Sequence, residues 1–274
     1  MDVKTQRPRW LDRVTDIGSE VNDIRFPRLD GYAPTQDRES CEVLVDGKWR
    51  RVRFHDYGEL YKIPGFYEEL FYERLKCCSP SRVVDLLEDL MSEFGEDPSA
   101  LRVLDVGAGN GMVGDELKDR GVDRIVGIDI IPEARLAADR DRPGVYEDYL
   151  VADLTDLPES DEELLRSKRF NCLSAVAALG FGDIPAAAFA KALDLIEVPG
   201  WLAFNIKEAF LDGSDVTGFC KLIRSLSRKR GIQIQVYRSY RHRLSITGAP
   251  LYYVAVIARK LNDLPDAILD GLGK

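Results

Sequence analysis

Residues 101–117, LRVLDVGAGNGMVGDEL, restrict the fold of this chain more than any other stretch. A run of strand character meets three alternating glycines, Gly107, Gly109 and Gly111, and a helix carrying Met112, Val113 and Leu117 follows. Glycine removes the Cβ that would hold a ligand off the backbone, and the start of the next helix presents unpaired N–H groups. The alternation continues along the chain. Strands are predicted at 102–106, 124–129, 149–152, 170–175 and 201–206, with helical or mixed segments between them. Repeated strand–helix–strand units imply a parallel sheet covered on both faces, with the glycine turn at the carboxyl end of a central strand, where ligands bind. The ending differs. After an amphipathic helix over 215–230, two strand-like runs at 233–240 and 251–260 are separated only by a loop, as antiparallel neighbours are.

Glycines alone do not name a ligand. Gly109, Gly111 and Gly114 spell G-x-G-x-x-G, and Asp129 follows Gly109 by 20 residues, the spacing of an NAD-dependent oxidoreductase. Charge argues against that alternative. Asp105 stands two residues before Gly107, at the strand mouth, where a dinucleotide would put its pyrophosphate. Like charges ~4 Å apart repel by about 4 kcal/mol at an effective dielectric of 20. The same carboxylate would favour a sulfonium and an α-ammonium, directly or by ordering the loop, which points to S-adenosyl-L-methionine. Asp129 ends the strand of IVGID, where it can accept from two vicinal ribose hydroxyls. Asp153, in VADL, can accept from an adenine amino group while the Leu154 N–H faces a ring nitrogen. Either acid could instead be a helix cap, but three acids at three successive strand ends strengthen the ligand reading of each.

Elsewhere the chain is less explicit. Trp10, Val14, Ile17, Val21 and Ile24 form one apolar seam at four–three spacing, which predicts a helix covering the main domain, with homodimerisation through it as the alternative. Two prolines and a glycine make 25–36 a connector, and 42–45 with 49–54 flank Asp46-Gly47 as a β-hairpin. Residues 66–94 read as helical, interrupted at Ser79-Pro80. With 38 basic against 47 acidic residues the formal net charge is −9, which argues against a chain-wide nucleic-acid surface. No apolar run reaches the roughly 18–20 residues of a membrane span, and the first ten residues lack a secretory core. Five cysteines without a C-x-x-C pair suit a reduced, cytoplasmic setting. The two histidines, His55 and His242, lie outside any metal-ligand spacing, so no metal is expected.

VLDVGAGNG resembles the first motif of the class I S-adenosylmethionine-dependent methyltransferases, and the resemblance extends over about residues 54–260. RPGVYEDYLVADLTDLP, SAVAALGFGDIPAAAFAKALDLIEVPGWLAFNIKEAF and RHRLSITGAPLYYVAV look most like the Williams-Beuren-region methyltransferase-like subgroup. The resemblance implies an α/β, Rossmann-like fold: a seven-stranded, mostly parallel sheet with an antiparallel last strand, preceded here by the N-terminal helix and hairpin. Expected boundaries are an extension over 1–53, the methyltransferase domain over 54–262 and a tail over 263–274. The implied cofactor wall comprises Asp105, Gly107, Ala108, Gly109 and Gly111, then Asp129 with Ile130, Ala152, Asp153 and Leu154, and Ala175 at the fourth strand end. The subgroup carries an aromatic segment ahead of the domain whose last tyrosine lies near the cofactor carboxylate. FHDYGELY (54–61) is similar and nominates Tyr61, although Phe54 and His55 replace tyrosine and aspartate, and Asn171 stands where the fourth strand usually has an acid.

Methyl transfer from a sulfonium has an activated leaving group, so the protein mainly aligns the reactants and excludes water. A base helps a phenol or alcohol more than an amine. The candidates are His55 and Tyr57 in the aromatic segment and His242, expected in the loop before the last strand, with Lys207 and Glu208 as further options. Arg224, Arg228, Lys229, Arg230, Arg238, Arg241 and Arg243 read mainly as a solvated face. The sequence also lacks an Asn-Pro-Pro-aromatic motif and a Pro-Cys nucleophile pair, so a small-molecule acceptor is expected in place of nucleic acid. A cofactor-binding protein without turnover is the remaining alternative.

Overall fold

The computed structural model describes residues 21, 23–28, 34–180, 183–212 and 215–264. Among the described residues ten strands form two sheets. In the large one, β4 (Arg102–Val106), β5 (Arg124–Asp129), β6 (Asp148–Val151), β7 (Cys172–Ala175) and β8 (Gly200–Ile206) run parallel, in the order β6-β5-β4-β7-β8. The sheet is completed by β9 (Ile232–Leu244) and β10 (Pro250–Lys260), with β10 inserted antiparallel between β8 and β9. This is the seven-stranded arrangement with an antiparallel last strand that the sequence predicts. The order reverses between β4 and β7, and in an open parallel sheet a crevice opens at such a switch point.

Strand alternation divides the interior in two. Leu104 and Val106 of β4, Val126 and Ile128 of β5, and Leu202 and Phe204 of β8 face one core, closed by Leu165, Phe189 and Phe219 from the helices α4 (Glu159–Ser167), α5 (Ala186–Asp194) and α6 (Phe219–Arg228). Their neighbours Val103, Ile125, Trp201 and Ala203 face the opposite core, against Val83, Val84, Leu87 and Leu90 of α2 (Ser79–Glu93) and Val113 and Leu117 of α3 (Met112–Lys118). Burial on both faces explains why these strands read as continuous apolar runs.

The leading segment builds a smaller body. The expected hairpin forms as β2 (Ser40–Val45) and β3 (Lys48–Arg53) around Asp46 (φ 50°) and Gly47 (φ 71°). A third strand, β1 (Asp23–Arg25), pairs antiparallel with β2. Ile24, read as the end of the helical seam, therefore lies in a strand, where its side chain packs with Val43, Val45, Phe54 and Phe71. Val21 of the same seam also lies outside any helix and packs against this cluster, while Trp10, Val14 and Ile17 lie outside the described residues, as does most of the expected tail. Helix α1 (Tyr57–Lys62) and a helical stretch, Phe66–Glu68 continuing as a π-helix over Glu69–Arg74, lead into α2. Two buried ion pairs fix this body to the large sheet: Arg243 Nη2 to Glu39 Oε2 at 2.5 Å, and Arg142 Nη1 to Glu68 Oε1 at 2.8 Å. No helix among the described residues is long and apolar enough to cross a membrane.

Candidate cofactor and acceptor site

The crevice at the switch point opens above the carboxyl ends of β4, β5 and β7. Its floor is the bend after β4, where Gly107 (φ 66°), Gly109 (φ 55°) and Gly111 (φ 90°) take the left-handed conformation that suits glycine. Two of them are also places where another side chain comes close. A Cβ on Gly107 would lie 2.7 Å from Ala178 Cβ, and one on Gly109 would lie 2.5 Å from the Tyr61 hydroxyl. Beneath the bend, Asn110 Nδ2 donates to Glu68 Oε1 (2.6 Å), and Arg142 Nη1 donates to both Glu68 Oε1 and the Asn110 carbonyl. The loop is thereby braced from the leading segment.

Asp129 ends β5 in the wall of the crevice. Its Oδ2 accepts from Gly109 N–H and its Oδ1 from Ile131 N–H, each at 3.0 Å. Burial raises its pKa from the ordinary carboxylate value, and the backbone N–H groups of Ile131, Gly109 and Ile130 oppose that rise. Each carboxylate oxygen has a second lone pair, so ribose hydroxyls can be accepted without breaking the backbone bonds. Asp153 lies farther along the wall; the Thr155 hydroxyl and N–H bond to its Oδ1 and hold its pKa low. Ile130, Ala152 and Leu154 line the same side, and Ala108 lines the floor with Gly107 and Gly109.

Opposite stands an aromatic wall from the leading segment. Tyr57 and Tyr61 stack with ring centroids 6.3 Å apart, Tyr61 and Tyr67 approach to 5.2 Å, and Tyr72 continues the wall. Burial pushes the Tyr61 phenol well above its ordinary pKa, so it stays a hydrogen-bond donor. Tyr57 is raised likewise, by burial and then by the nearby Asp183 carboxylate, which suits it to donating a proton bond and not to abstracting a proton.

Four expected site residues lie elsewhere. Asp105 turns under the loop, where its carboxylate accepts from Ser174 Oγ (2.6 Å) and Tyr146 Oη (2.7 Å), and burial lifts its pKa to about 6. Of the two roles the sequence allows it, ordering the loop and meeting the cofactor directly, it therefore takes the first, and it does not line the crevice. Gly111 is the N-cap of α3, below the lining residues. Ala175 is fully buried within β7, and the wall is formed instead by the next three residues, Val176, Ala177 and Ala178. His242 is within β9 and not in a loop: its Nδ1 bonds to Ser79 Oγ (2.6 Å), its ring stacks on Tyr253 at 4.2 Å, and burial followed by the Arg243 charge takes its pKa down to about 3. His55, by contrast, lines the crevice, with Nδ1 3.1 Å from Asp183 Oδ2. Asp183 was not singled out from the sequence; it follows β7 by eight residues, with no periodicity to flag it. Tyr67, Tyr72, Asn110 and Ile184 also line the site and were missed.

The charge of the lining separates the two dinucleotide-like readings. Among the described lining residues are three carboxylates, Asp129, Asp153 and Asp183, and no lysine or arginine. Diphosphate would find no countercharge there, whereas a sulfonium and an ammonium would. The fold and this lining define the class of S-adenosylmethionine-dependent methyltransferases. A family model described as a methyltransferase domain matches residues 80–248, well over half of the chain, and the chain belongs to that family. Its cofactor is S-adenosyl-L-methionine. Solved structures similar to it include magnesium protoporphyrin IX methyltransferase from Synechocystis with bound S-adenosylmethionine, at 17% identity and TM-score 0.44, covering 66% of this chain and 79% of that one. A methyltransferase of the same cofactor from Anabaena variabilis is 15% identical with TM-score 0.45, covering 67% and 88%. The ribosomal protein L11 methylase of Lactobacillus delbrueckii is 17% identical with TM-score 0.39, covering 59% and 70%. Comparison with curated proteins gives no match.

Proposed function

We infer that this methyltransferase acts on an oxygen or nitrogen of a small molecule, in the manner of the Williams-Beuren-region methyltransferase-like subgroup. The observation that carries the assignment of the crevice is its lining, acidic and aromatic with no basic side chain among the described residues. An RNA backbone or other polyanionic acceptor would meet like charge in such a site. The cytoplasmic setting and a homodimer through the N-terminal segment belong to the same proposal on sequence grounds.

In this reading the residues divide the work. Asp129 accepts the ribose hydroxyls, Asp153 and the Leu154 N–H take the adenine edge, and the Tyr61 hydroxyl donates to the cofactor carboxylate. Gly107, Ala108 and Gly109 let the ligand lie against the backbone. The bound cofactor supplies an electrophilic methyl on a positively charged sulfur. Val176, Ala177 and Ala178 form a small apolar surface beside it, and Tyr57, Tyr67 and Tyr72 keep water out from the other side.

Calorimetric titration with S-adenosylhomocysteine and, separately, with NADH tests the assignment. Saturable binding of the first and none of the second is expected; the reverse pattern would refute it. Incubation with labelled S-adenosylmethionine and a metabolite extract then separates an enzyme from a silent binder, because only an enzyme yields a labelled small molecule.

A further inference from the structure

Beside the main crevice lies an annex of about 40 Å³, and His55, Tyr57, Tyr67, Ala177 and Asp183 border both spaces. The contact between His55 and Asp183 stands at their junction. With the Nδ1–H directed at the Asp183 carboxylate, the neutral imidazole carries its lone pair on Nε2. Two further carboxylates act on the ring. Asp37, whose pKa is lowered chiefly by Thr35, and Asp56, lowered chiefly by Arg53, are each also stabilised by positive charge on His55. Arg243, the one described cation bordering the annex, is paired with Glu39, and His242 stays neutral.

Given the methyl donor in the main crevice as inferred above, we propose that His55 is the general base of this enzyme, that Asp183 is its positioning residue, and that the acceptor is a phenol. An imidazole has a pKa near 6.5 and a phenol one near 10, a gap of about 3.5, whereas water, close to an aliphatic alcohol, lies near 15.7. The base is therefore matched to a phenol, and a neutral amine would not require it. The rings of Tyr57, Tyr67 and Tyr72 offer an aromatic acceptor flat surfaces on which to stack. In the transfer the phenolic oxygen bonds to the methyl carbon as the sulfur–carbon bond breaks, and that electron pair stays on sulfur. The hydroxyl proton passes to His55 Nε2, leaving an imidazolium held by Asp183.

The annex narrows the acceptor further. A cavity of roughly 150 Å³ accommodates a benzene ring, so an annex of about 40 Å³ takes only a small substituent while the ring remains in the crevice. Gln36 borders the annex with a buried Oε1 that has no hydrogen-bond partner among the described residues, while its Nε2 donates to Tyr253 Oη at 2.7 Å. An acceptor oxygen in that place calls for a donor on the ligand. A phenol bearing a second small donor, such as another hydroxyl, satisfies both ends.

The test uses the protein loaded with S-adenosylhomocysteine and two chromophoric probes, 4-nitrophenol and 4-nitrocatechol, at a pH below that at which each free probe ionises. Binding to the unaltered protein should raise the phenolate band. His55→Asn and Asp183→Asn should still bind S-adenosylhomocysteine and probe but lose the band, and Asp183→Glu should recover it. Gln36→Leu should weaken 4-nitrocatechol about tenfold, one lost hydrogen bond's worth, and leave 4-nitrophenol unchanged. An equal phenolate band in the unaltered protein and His55→Asn, or S-adenosylhomocysteine binding with no probe binding, would overturn the proposal. Failure to bind S-adenosylhomocysteine at all would remove the methyltransferase site itself, a distinguishable result.

Discussion

Asp129 Oδ2 accepts a 3.0 Å hydrogen bond from the backbone N–H of Gly109, twenty residues earlier in the chain. One carboxylate therefore both sets the curvature of the glycine bend and lines the crevice in which the cofactor is proposed to lie. Removing it should cost two kinds of interaction at once. Asp129→Ala is expected to weaken S-adenosylhomocysteine binding on the order of 100-fold, from about 1.5–3 kcal/mol per charged hydrogen bond. Asp129→Asn should lose less. Calorimetry of the two variants checks the order, and equal losses would contradict it.

Gly109 and Tyr61 should be coupled. Gly109→Ala puts a Cβ 2.5 Å from the Tyr61 hydroxyl at a residue with φ 55°. The left-handed conformation alone costs roughly 1–2 kcal/mol for alanine. The variant should bind S-adenosylhomocysteine at least about tenfold more weakly. Adding Tyr61→Phe removes the crowded oxygen, so the double variant should bind better than the sum of the single losses predicts, which a double-mutant cycle reads directly.

Two buried groups should give stability opposite pH dependences. Asp105 rises from 3.8 to about 6 on folding. Between about pH 4 and 6 the unfolded chain has lost the proton that the folded chain keeps, so this contribution falls as pH rises, by up to roughly 3 kcal/mol in all. His242 drops from 6.5 to about 3, so its contribution is present above pH 6.5 and is lost as pH falls toward 3. Urea unfolding at a series of pH values should show Asp105→Asn gaining relative stability at pH 7 over pH 4.5. His242→Gln, which keeps an acceptor for Ser79, should gain relative stability at pH 4.5. A matching pH response in both variants would contradict these signs.

The docking of the small sheet should depend on Glu39 and Arg243. Glu39 accepts from Arg243 Nη2 at 2.5 Å and from Ile246 N–H at 2.8 Å, and Glu39 and Arg243 are both buried. Glu39→Ala leaves a buried guanidinium without its partner and should cost about 3–5 kcal/mol in urea unfolding. Replacing both partners by neutral residues, Glu39→Gln with Arg243→Met, should recover most of that loss.

The sequence discloses the large sheet well because its strands are buried on both faces and bounded by glycines, prolines and acids. Asp129 and Asp153 could be found because they close strands at a fixed place in the fold. The missed residues share a physical reason. Strand alternation puts Asp105 on the side of Val103, toward Ser174, and nothing in a linear spacing distinguishes a carboxylate that faces a ligand from one that braces a loop. Strand β9 runs four residues beyond its apolar pattern, to Leu244, which carries His242 into the interior. Ile24 fits a helical seam and a strand equally well, and tertiary pairing with β2 decides for the strand. Asp183 owes its place to a long-range contact with His55, 128 residues away in sequence.

Among the described residues every aromatic side of the crevice, Tyr57, Tyr61, Tyr67 and Tyr72, and with them His55, precedes residue 80, where the shared family region begins. In the proposed reading most of the groups that hold the methyl donor lie within the common domain, with Tyr61 the exception, while the aromatic surface offered to a substrate lies ahead of it. Related chains can keep one and rewrite the other, and kinship judged on the common part alone foretells the donor and is silent on what receives its methyl.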